Sequence, residues 1–90
     1  MEFEFDSGKN LKNQEKHGIS FEEAQELWDD EEAIQIPAIS ETEERFALLG
    51  CVHSKVWAAF FTHRGDVVRL ISVRRARTNE VKLYESGKTG

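Results

Sequence analysis

The sequence is poor in features that would place the chain in a membrane, in an oxidising compartment or in a disordered state. It has one cysteine and one proline among 90 residues, and its 39% share of hydrophobic residues suits a folded chain. A lone cysteine cannot form an internal disulfide, so Cys51 is interpreted as a buried thiol. No run approaches the roughly eighteen apolar residues of a membrane helix. The acidic start at Met1–Asp6 lacks the basic and apolar regions of a secretion signal. We therefore expect one cytoplasmic domain over residues 1–90, with no membrane partner.

Signatures of cofactor and metal chemistry are also missing. The sequence contains no glycine-rich phosphate loop and no nucleophile elbow. Its three histidines, His17, His53 and His63, have neither metal-ligand spacing nor a cysteine pair beside them. The sequence therefore predicts no metal site and no cofactor.

Arginine is absent from the first 44 residues, and this absence divides the chain electrostatically. Residues 1–44 hold fourteen acidic residues and three lysines, whereas residues 45–90 hold six arginines, three lysines and three acidic residues. The net charge of −5 therefore conceals a basic half. Four of the arginines lie in or just after one apolar segment: Arg69, Arg74, Arg75 and Arg77. Clustered guanidinium groups are suited to binding phosphate or carboxylate.

The chain begins with a predicted strand and a predicted polar helix. The alternation of polar and apolar residues in Glu2–Phe5 indicates a short strand. Residues 7–17 are compatible with a helix that Leu11 anchors and Gly18 terminates.

A capping box predicts the second helix. Ser20 and Glu23 have the required spacing, and they open a helix of about ten residues. Its apolar face is expected to consist of Phe21, Ala24, Leu27 and Trp28. The four acidic residues 29–32 are expected to form a solvated connection.

The second half of the chain predicts an antiparallel sheet. Residues 33–36 directly precede Pro37, which indicates a short or edge strand. Three apolar runs then suit a meander of antiparallel strands, at residues 45–53, 55–62 and 67–74, with a turn at 63–66. Thr78 is expected to cap a last helix through Tyr84, with Gly87 as its stop, and residues 88–90 are expected to be disordered. We therefore predict an α+β fold in which helices pack on a small antiparallel β-sheet.

The candidate site residues each have a structural and a functional interpretation. Strand alternation predicts that Arg69 and Arg75 share one face of the sheet, with Arg74 on the other. Lys16 and His17 either complement the helix dipole or transfer protons. Glu23 is a capping partner, whereas Glu22 has no such local role and is a candidate base. The arginines at 74, 75 and 77 are either solvated charges at a strand end or phosphate ligands.

Five segments of the sequence form a familiar combination. They are Phe3–Asp6, Lys16–Ala24, Glu43–Phe46, Arg69–Ala76, and Glu80 with Tyr84 and Glu85. Together they resemble the BrnT family, the toxin half of the bacterial BrnT–BrnA type II toxin–antitoxin system. The Lys-His-Gly segment followed by Ser-Phe-Glu-Glu-Ala is specific when it occurs together with the arginine-rich strand. The chain departs from the family in having Phe5 where tryptophan is usual, and in being net acidic.

The resemblance implies a RelE-like fold and a metal-independent endoribonuclease that cleaves RNA and inhibits translation. It also implies neutralisation by a cognate BrnA-like antitoxin, and contact with operator DNA only through the antitoxin complex. On this basis the hypothetical catalytic residues are Lys16, His17, Glu22, Arg45 and Arg75. Arg69, Arg74 and Arg77 are the hypothetical RNA-phosphate ligands. The assignment of general base and general acid stays open.

Two alternatives accompany this hypothesis. The chain would be a non-catalytic binding module if it is an inactive toxin homologue that acts with its partner in transcriptional autoregulation. The strands at 45–53 and 55–62 are apolar on both faces. Two short helices would not cover these faces, so the isolated chain is expected to bury them against the antitoxin or in a homodimer.

Overall fold

The computed structural model describes residues 1–88, with the backbone alone for Lys88. Within these residues the chain forms five strands, three α-helices and one short 3-10 helix. In chain order they are β1 (Glu2–Glu4), α1 (Ser7–His17), α2 (Phe21–Ala24), the 3-10 helix (Gln25–Asp29), β2 (Ile34–Ala38), β3 (Arg45–Val52), β4 (Lys55–Arg64), β5 (Val67–Arg75) and α3 (Thr78–Lys88). The predicted α+β class is confirmed. The expected helix stop at Gly87 is wrong, because α3 continues through it to Lys88. The rest of the segment expected to be disordered, residues 89–90, lies outside the described residues.

The strands form one mixed sheet in the order β1-β5-β4-β3-β2. The strands from β2 to β5 are antiparallel to their neighbours, which confirms the predicted meander. The expectation of a purely antiparallel sheet is wrong at one edge, because β1 runs parallel to β5 with Glu4 beside Arg69. Most of the chain separates these two strands, so no hairpin fixes their relative direction. The prediction of an edge strand before Pro37 is confirmed, and β2 continues through Pro37 at the opposite edge.

Two short turns connect the meander. His53 and Ser54 join β3 to β4 with positive φ angles of 53° and 63°. Two such residues give a hairpin turn whose twist matches that of the strands. The turn predicted at residues 63–66 is too long, because β4 extends through Arg64 and leaves Gly65 and Asp66 as the connection. Gly65 has a φ of 61°, which glycine adopts without steric cost.

A β-bulge changes the side-chain alternation of β5. Phe61 is paired with Leu70 and Phe60 with Ser72, so Ile71 is an extra residue in β5. As a result, Leu70 and Val73 both enter the same core although three positions separate them. The predicted facing of the arginines is therefore wrong. Arg69 lies on the same face as Arg74, and Arg75 lies on the other.

The α1 helix, together with α2 and the 3-10 helix that continues it, covers one face of the sheet. The capping box is confirmed, with the Ser20 hydroxyl accepting from the Glu23 amide and the Glu23 carboxylate accepting from the Ser20 amide. The second helix is one α-helical turn followed by the 3-10 helix. Three of its predicted apolar residues are fully buried, and Trp28 packs edge-to-face on Phe61 at 5.1 Å. The proposed anchor Leu11 is wrong, because its side chain is 62% exposed.

The α3 helix covers only part of the opposite face. Its Tyr84 is buried against Leu49 and Ala58. The Tyr84 hydroxyl donates to Asp30, which also accepts from the amide of Cys51. Burial, together with the adjacent Asp30 carboxylate, raises the pKa of Tyr84. The prediction that residues 29–32 are merely solvated is therefore wrong for Asp30, which ties the first half of the chain to α3.

Candidate nucleic-acid interface

The α1 helix lies along the edge of β5 where β1 ends. β1 pairs only with residues 67–69, so the rest of this edge has no strand beside it. The side chain of Asn13 occupies the edge: its oxygen accepts from the amide of Val73, and its nitrogen donates to the carbonyl of Ile19, both at 3.0 Å. Asn13 is buried, so losing either bond would leave a backbone group unsatisfied. This one residue fixes α1 on the sheet.

A groove whose α1 wall is basic lies between α1 and β5, and we call it the α1 groove. Its volume is about 310 Å³, and it is lined by Lys9, Lys12, Asn13, Lys16, His17, Ile71 and Ser72. The lysines are exposed and His17 is half-buried. The groove thus contains two of the candidate catalytic residues, Lys16 and His17, where α1 ends.

A second groove crosses the part of the sheet that α3 leaves open, and we call it the sheet groove. Its volume is about 400 Å³, and it is lined by Ile36, Pro37, Ala38, Ile39, Arg45, Ala47, Phe60, Ile71, Ser72 and Glu80. It is mainly apolar and contains the candidate Arg45. Both grooves include Ile71 and Ser72, so they meet at the bulge, one on each side of the β5 edge.

Three of the candidate arginines are paired with carboxylates of the chain itself. Arg45 contacts Glu43 at 3.3 Å, and Arg69 contacts Glu4 of β1 at 2.5 Å. Arg74 binds both oxygens of Glu80, at 2.8 and 3.0 Å, while its guanidinium lies 5.0 Å from the centre of the Phe60 ring. These three cations are therefore partly neutralised before any ligand binds.

The Arg74–Glu80 pair is the least exposed of the ion pairs, with side-chain exposures of 22% and 13%. Hydrogen bonds from Arg74 hold the pKa of Glu80 below its ordinary value, against the opposing effect of burial. The amide of Arg77 also donates to this carboxylate at 2.7 Å. Glu80 therefore joins the end of β5 to the first turn of α3.

Arg75 differs from these arginines. It ends β5 on the face that α1 and α2 cover, and its guanidinium lies 5.5 Å from the centre of the Trp57 ring. Its side chain is exposed, and within residues 1–88 no carboxylate lies within 4.0 Å of it. Since α1 runs beside β5 from Asp6 towards Asn13 and Val73, its C-terminal end points towards the end of β5 where Arg75 lies.

Glu22 is placed away from both grooves. It is exposed in the first turn of α2, where it accepts from the side chain of Asn10 at 2.9 Å. Its neighbour Glu23 contacts His53 at 3.3 Å. Hydrogen bonds from Ser20, assisted by His53, hold the pKa of Glu23 below its ordinary value.

The sequence analysis overlooked Lys9 and Lys12, which line the α1 groove beside Lys16. The available signal was their spacing. On a predicted helix over residues 7–17, positions 9, 12 and 16 fall on one face. The predicted phosphate ligands are instead all arginines of the second half of the chain.

The described residues lack two features, a membrane-spanning helix and a cluster of metal-binding side chains. No helix among them is long and apolar enough to cross a membrane. No group of three or more histidine, cysteine, aspartate or glutamate side chains within residues 1–88 is arranged to hold a metal ion.

A family model described as the ribonuclease toxin BrnT of type II toxin–antitoxin systems matches residues 5–80. No curated protein matches the chain significantly. The matched segment covers most of the 90 residues, from the end of β1 into α3, and the chain belongs to this family.

Proposed function

From its membership of a ribonuclease toxin family, we propose that the chain is a metal-independent endoribonuclease whose active centre lies at the C-terminal end of the α1 groove. The observation that carries this proposal is the meeting of the two grooves at Ile71 and Ser72. Lys16 and His17 lie on one side of that strand edge, and Arg45 lies on the other. A single RNA strand that crosses the edge would contact proton carriers and cations together.

The proposed reaction uses the RNA itself as the nucleophile. The 2′-hydroxyl oxygen attacks the adjacent phosphorus, and the bond from phosphorus to the 5′-oxygen breaks. A general base removes the proton of the 2′-hydroxyl, and a general acid gives a proton to the departing 5′-oxygen. The products are a 2′,3′-cyclic phosphate and a 5′-hydroxyl, and cationic side chains stabilise the charge that develops on the phosphoryl oxygens.

The residues at the end of α1 supply these roles in the proposal. His17 is half-buried beside Lys16, and an imidazole serves as either base or acid near neutral pH. Lys16 then supplies the other proton transfer or a fixed positive charge. Arg75 is assigned to stabilise the transition state, because the C-terminal end of α1 points towards it and no carboxylate among the described residues lies within 4.0 Å of its guanidinium.

The remaining candidates are assigned to binding. Arg45 would hold RNA that has crossed into the sheet groove. Arg69 and Arg74 lie on the same face as Arg45, and Arg77 lies in the connection before α3. Arg45, Arg69 and Arg74 would bind phosphate in competition with their own glutamate partners. Glu22 is the alternative base, reached only by RNA that extends to the start of α2.

Cleavage in the presence of a chelator tests the chemistry. The purified chain is incubated with a single-stranded RNA oligonucleotide with and without EDTA, and the new ends are analysed. We expect equal cleavage in both samples and 2′,3′-cyclic phosphate ends. Activity that disappears with EDTA and returns with a divalent ion would contradict the mechanism. A His17→Gln variant that shows normal folding serves as the inactive control.

The proposal includes a cytoplasmic toxin that inhibits translation by cutting RNA, and a cognate antitoxin, which the family description implies. We place the antitoxin over the sheet groove and the nearby arginines, because the groove is an apolar surface flanked by Arg45. A RelE-like fold is part of the same proposal, and the antiparallel meander between two helical layers supports it. Co-expression with the product of an adjacent gene is the direct test, since failure to co-purify would contradict the toxin–antitoxin assignment.

One observation favours a second candidate function. Arg45, Arg69 and Arg74 each form an ion pair with a glutamate, as expected of a chain that no longer binds RNA. Such a chain would be a non-catalytic module that joins its antitoxin on operator DNA. RNA that stays intact, together with tighter operator binding by the complex than by the antitoxin alone, would favour this second function.

A further inference from the structure

We propose that the α1 groove binds the phosphate backbone of single-stranded RNA, with Lys9 and Lys12 as contacts that lead the strand to the catalytic end of α1. The proposal rests on the proposed ribonuclease function and adds two residues that take no part in the chemistry. Its ligand class is defined by the phosphodiester charge and not by base sequence.

The placement of the lysines is the first argument. The acidic half of the chain, residues 1–44, has only three lysines against fourteen acidic residues, and all three lysines line this one groove. A solvated helix surface would distribute its cations around the helix. Their concentration on the wall that faces β5 produces a positive strip within a negative surface.

The dimensions of the strip suit a nucleic-acid backbone. From Lys9 to Lys16 the helix rises about 10 Å, at about 1.5 Å per residue. Over that length a nucleic-acid strand presents about three phosphates, at a rise of about 3.4 Å per nucleotide. The opposite wall is the edge of β5 at Ile71 and Ser72, and a basic groove of this kind that follows the backbone is typical of single-strand binding.

The lysines are also available for binding. Within the described part of the chain no carboxylate lies within 4.0 Å of the side-chain ammonium groups of Lys9, Lys12 or Lys16, although the Asp6 carboxylate accepts from the backbone amide of Lys9. The helix that carries them does not need to move, because Asn13 between Lys12 and Lys16 is bonded to Val73 and to Ile19. The groove is therefore preformed, and binding does not require an existing ion pair to break.

The test compares two double variants with the same change in net charge. Lys9→Gln/Lys12→Gln removes two groove cations, and Lys55→Gln/Lys82→Gln removes two exposed cations from β4 and α3. Glutamine has nearly the helix propensity of lysine, so α1 should remain intact, which circular dichroism checks. The probe is a fluorescent single-stranded RNA with 2′-O-methyl groups, which binds but cannot be cleaved, and its affinity is measured by anisotropy over a range of salt concentrations.

We expect the groove variant to bind on the order of tenfold more weakly at about 0.15 M salt, because each lost phosphate contact costs roughly fourfold there. Its plot of log affinity against log salt should be shallower by about 1.4, which is about 0.7 for each contact. The control variant should retain the wild-type slope. A groove variant with the wild-type slope would overturn the proposal, as would equal losses in both variants.

Cleavage of unmodified RNA, measured in parallel, separates this proposal from the proposed function. If the wild-type chain cleaves RNA but the groove variant binds normally, the groove assignment fails and the ribonuclease assignment stands. If the groove variant loses binding although the wild-type chain cleaves nothing, the groove assignment stands and the ribonuclease assignment fails. A wild-type chain that neither binds nor cleaves RNA overturns both.

Discussion

The chain has two basic regions, and they differ in whether their charges are already used. On the open face of the sheet, Arg45, Arg69 and Arg74 each contact a glutamate of the chain itself. Along the β5 edge, the cationic groups of the α1 lysines and of Arg75 have no carboxylate within 4.0 Å among residues 1–88. The number of cations alone therefore overestimates how much positive charge the first region offers to a ligand, relative to the second.

The difference has a physical origin in the acidic first half of the chain. Glu4 and Glu43 come from that half: the pairing of β1 with β5 brings Glu4 beside Arg69, and Glu43 lies two residues before Arg45 in the chain. Two glutamates of the acidic half thus neutralise arginines of the basic half, whereas the partner of Arg74, Glu80, lies in the basic half itself. The lysines of α1 are not neutralised in this way, because the groove residues of β5 that they face, Ile71 and Ser72, are uncharged.

Of the changes that distinguish the two basic regions, Arg75→Ala is expected to have the largest effect, a loss of cleavage rate. Loss of one preorganised cation that contacts the transition state typically lowers the rate on the order of a hundred-fold. Arg45→Ala should cost less, because Glu43 already compensates its charge. Initial rates at saturating RNA, with folding verified by circular dichroism, are the measurement. Arg64→Ala is the matched control, since it removes an exposed arginine at the far end of β4. Equal losses for all three variants would show that only net charge matters.

An intermediate effect, on stability and not on rate, is expected for Arg74→Gln. The change leaves the Glu80 carboxylate half-buried without its main partner, at a cost of about 1–3 kcal/mol of unfolding free energy. Arg69→Gln is the control, because the pair with Glu4 is more exposed and should contribute less than about 1 kcal/mol. Urea denaturation of the three proteins measures both values.

The pH dependence of the same variant sharpens this prediction. The pKa of Glu80 is lower in the folded chain, so its contribution is complete above the ordinary value of 4.5 and is lost as the pH falls through the folded value. Stability of the wild-type chain should therefore decline below about pH 4.5, and Arg74→Gln should decline less steeply. Parallel acid profiles for the two proteins would refute a stabilising role for this pair.

The sequence sufficed for the elements that local chemistry determines. The capping box at Ser20 and Glu23, the stop at Gly18 and the three strands of the meander follow from short patterns, and the structure has all of them. The parallel pairing of β1 was not predictable in this way, because it depends on residues 65 positions apart, such as Glu4 and Arg69.

The errors within the candidate site have one main cause. The bulge at Ile71 reverses the facing of every later residue in β5, and no local signal in the sequence marks it. The same feature joins the two grooves. The burial of Asn13 was equally hidden, since asparagine in a polar helix is usually solvated and its two partners lie in other segments.

The smallest effect is expected for Glu43→Gln, which tests directly whether pairing keeps the open face inactive. The Arg45–Glu43 pair is exposed, so its loss should change the unfolding free energy by less than about 0.5 kcal/mol. A freed Arg45 would then add one phosphate contact, which strengthens RNA binding roughly fourfold at about 0.15 M salt. Glu31→Gln is the control, because Glu31 is exposed beyond the opposite end of β2 and changes the net charge equally. Equal gains in both variants would mean that overall acidity, and not the pairing of Arg45, limits RNA binding on this face.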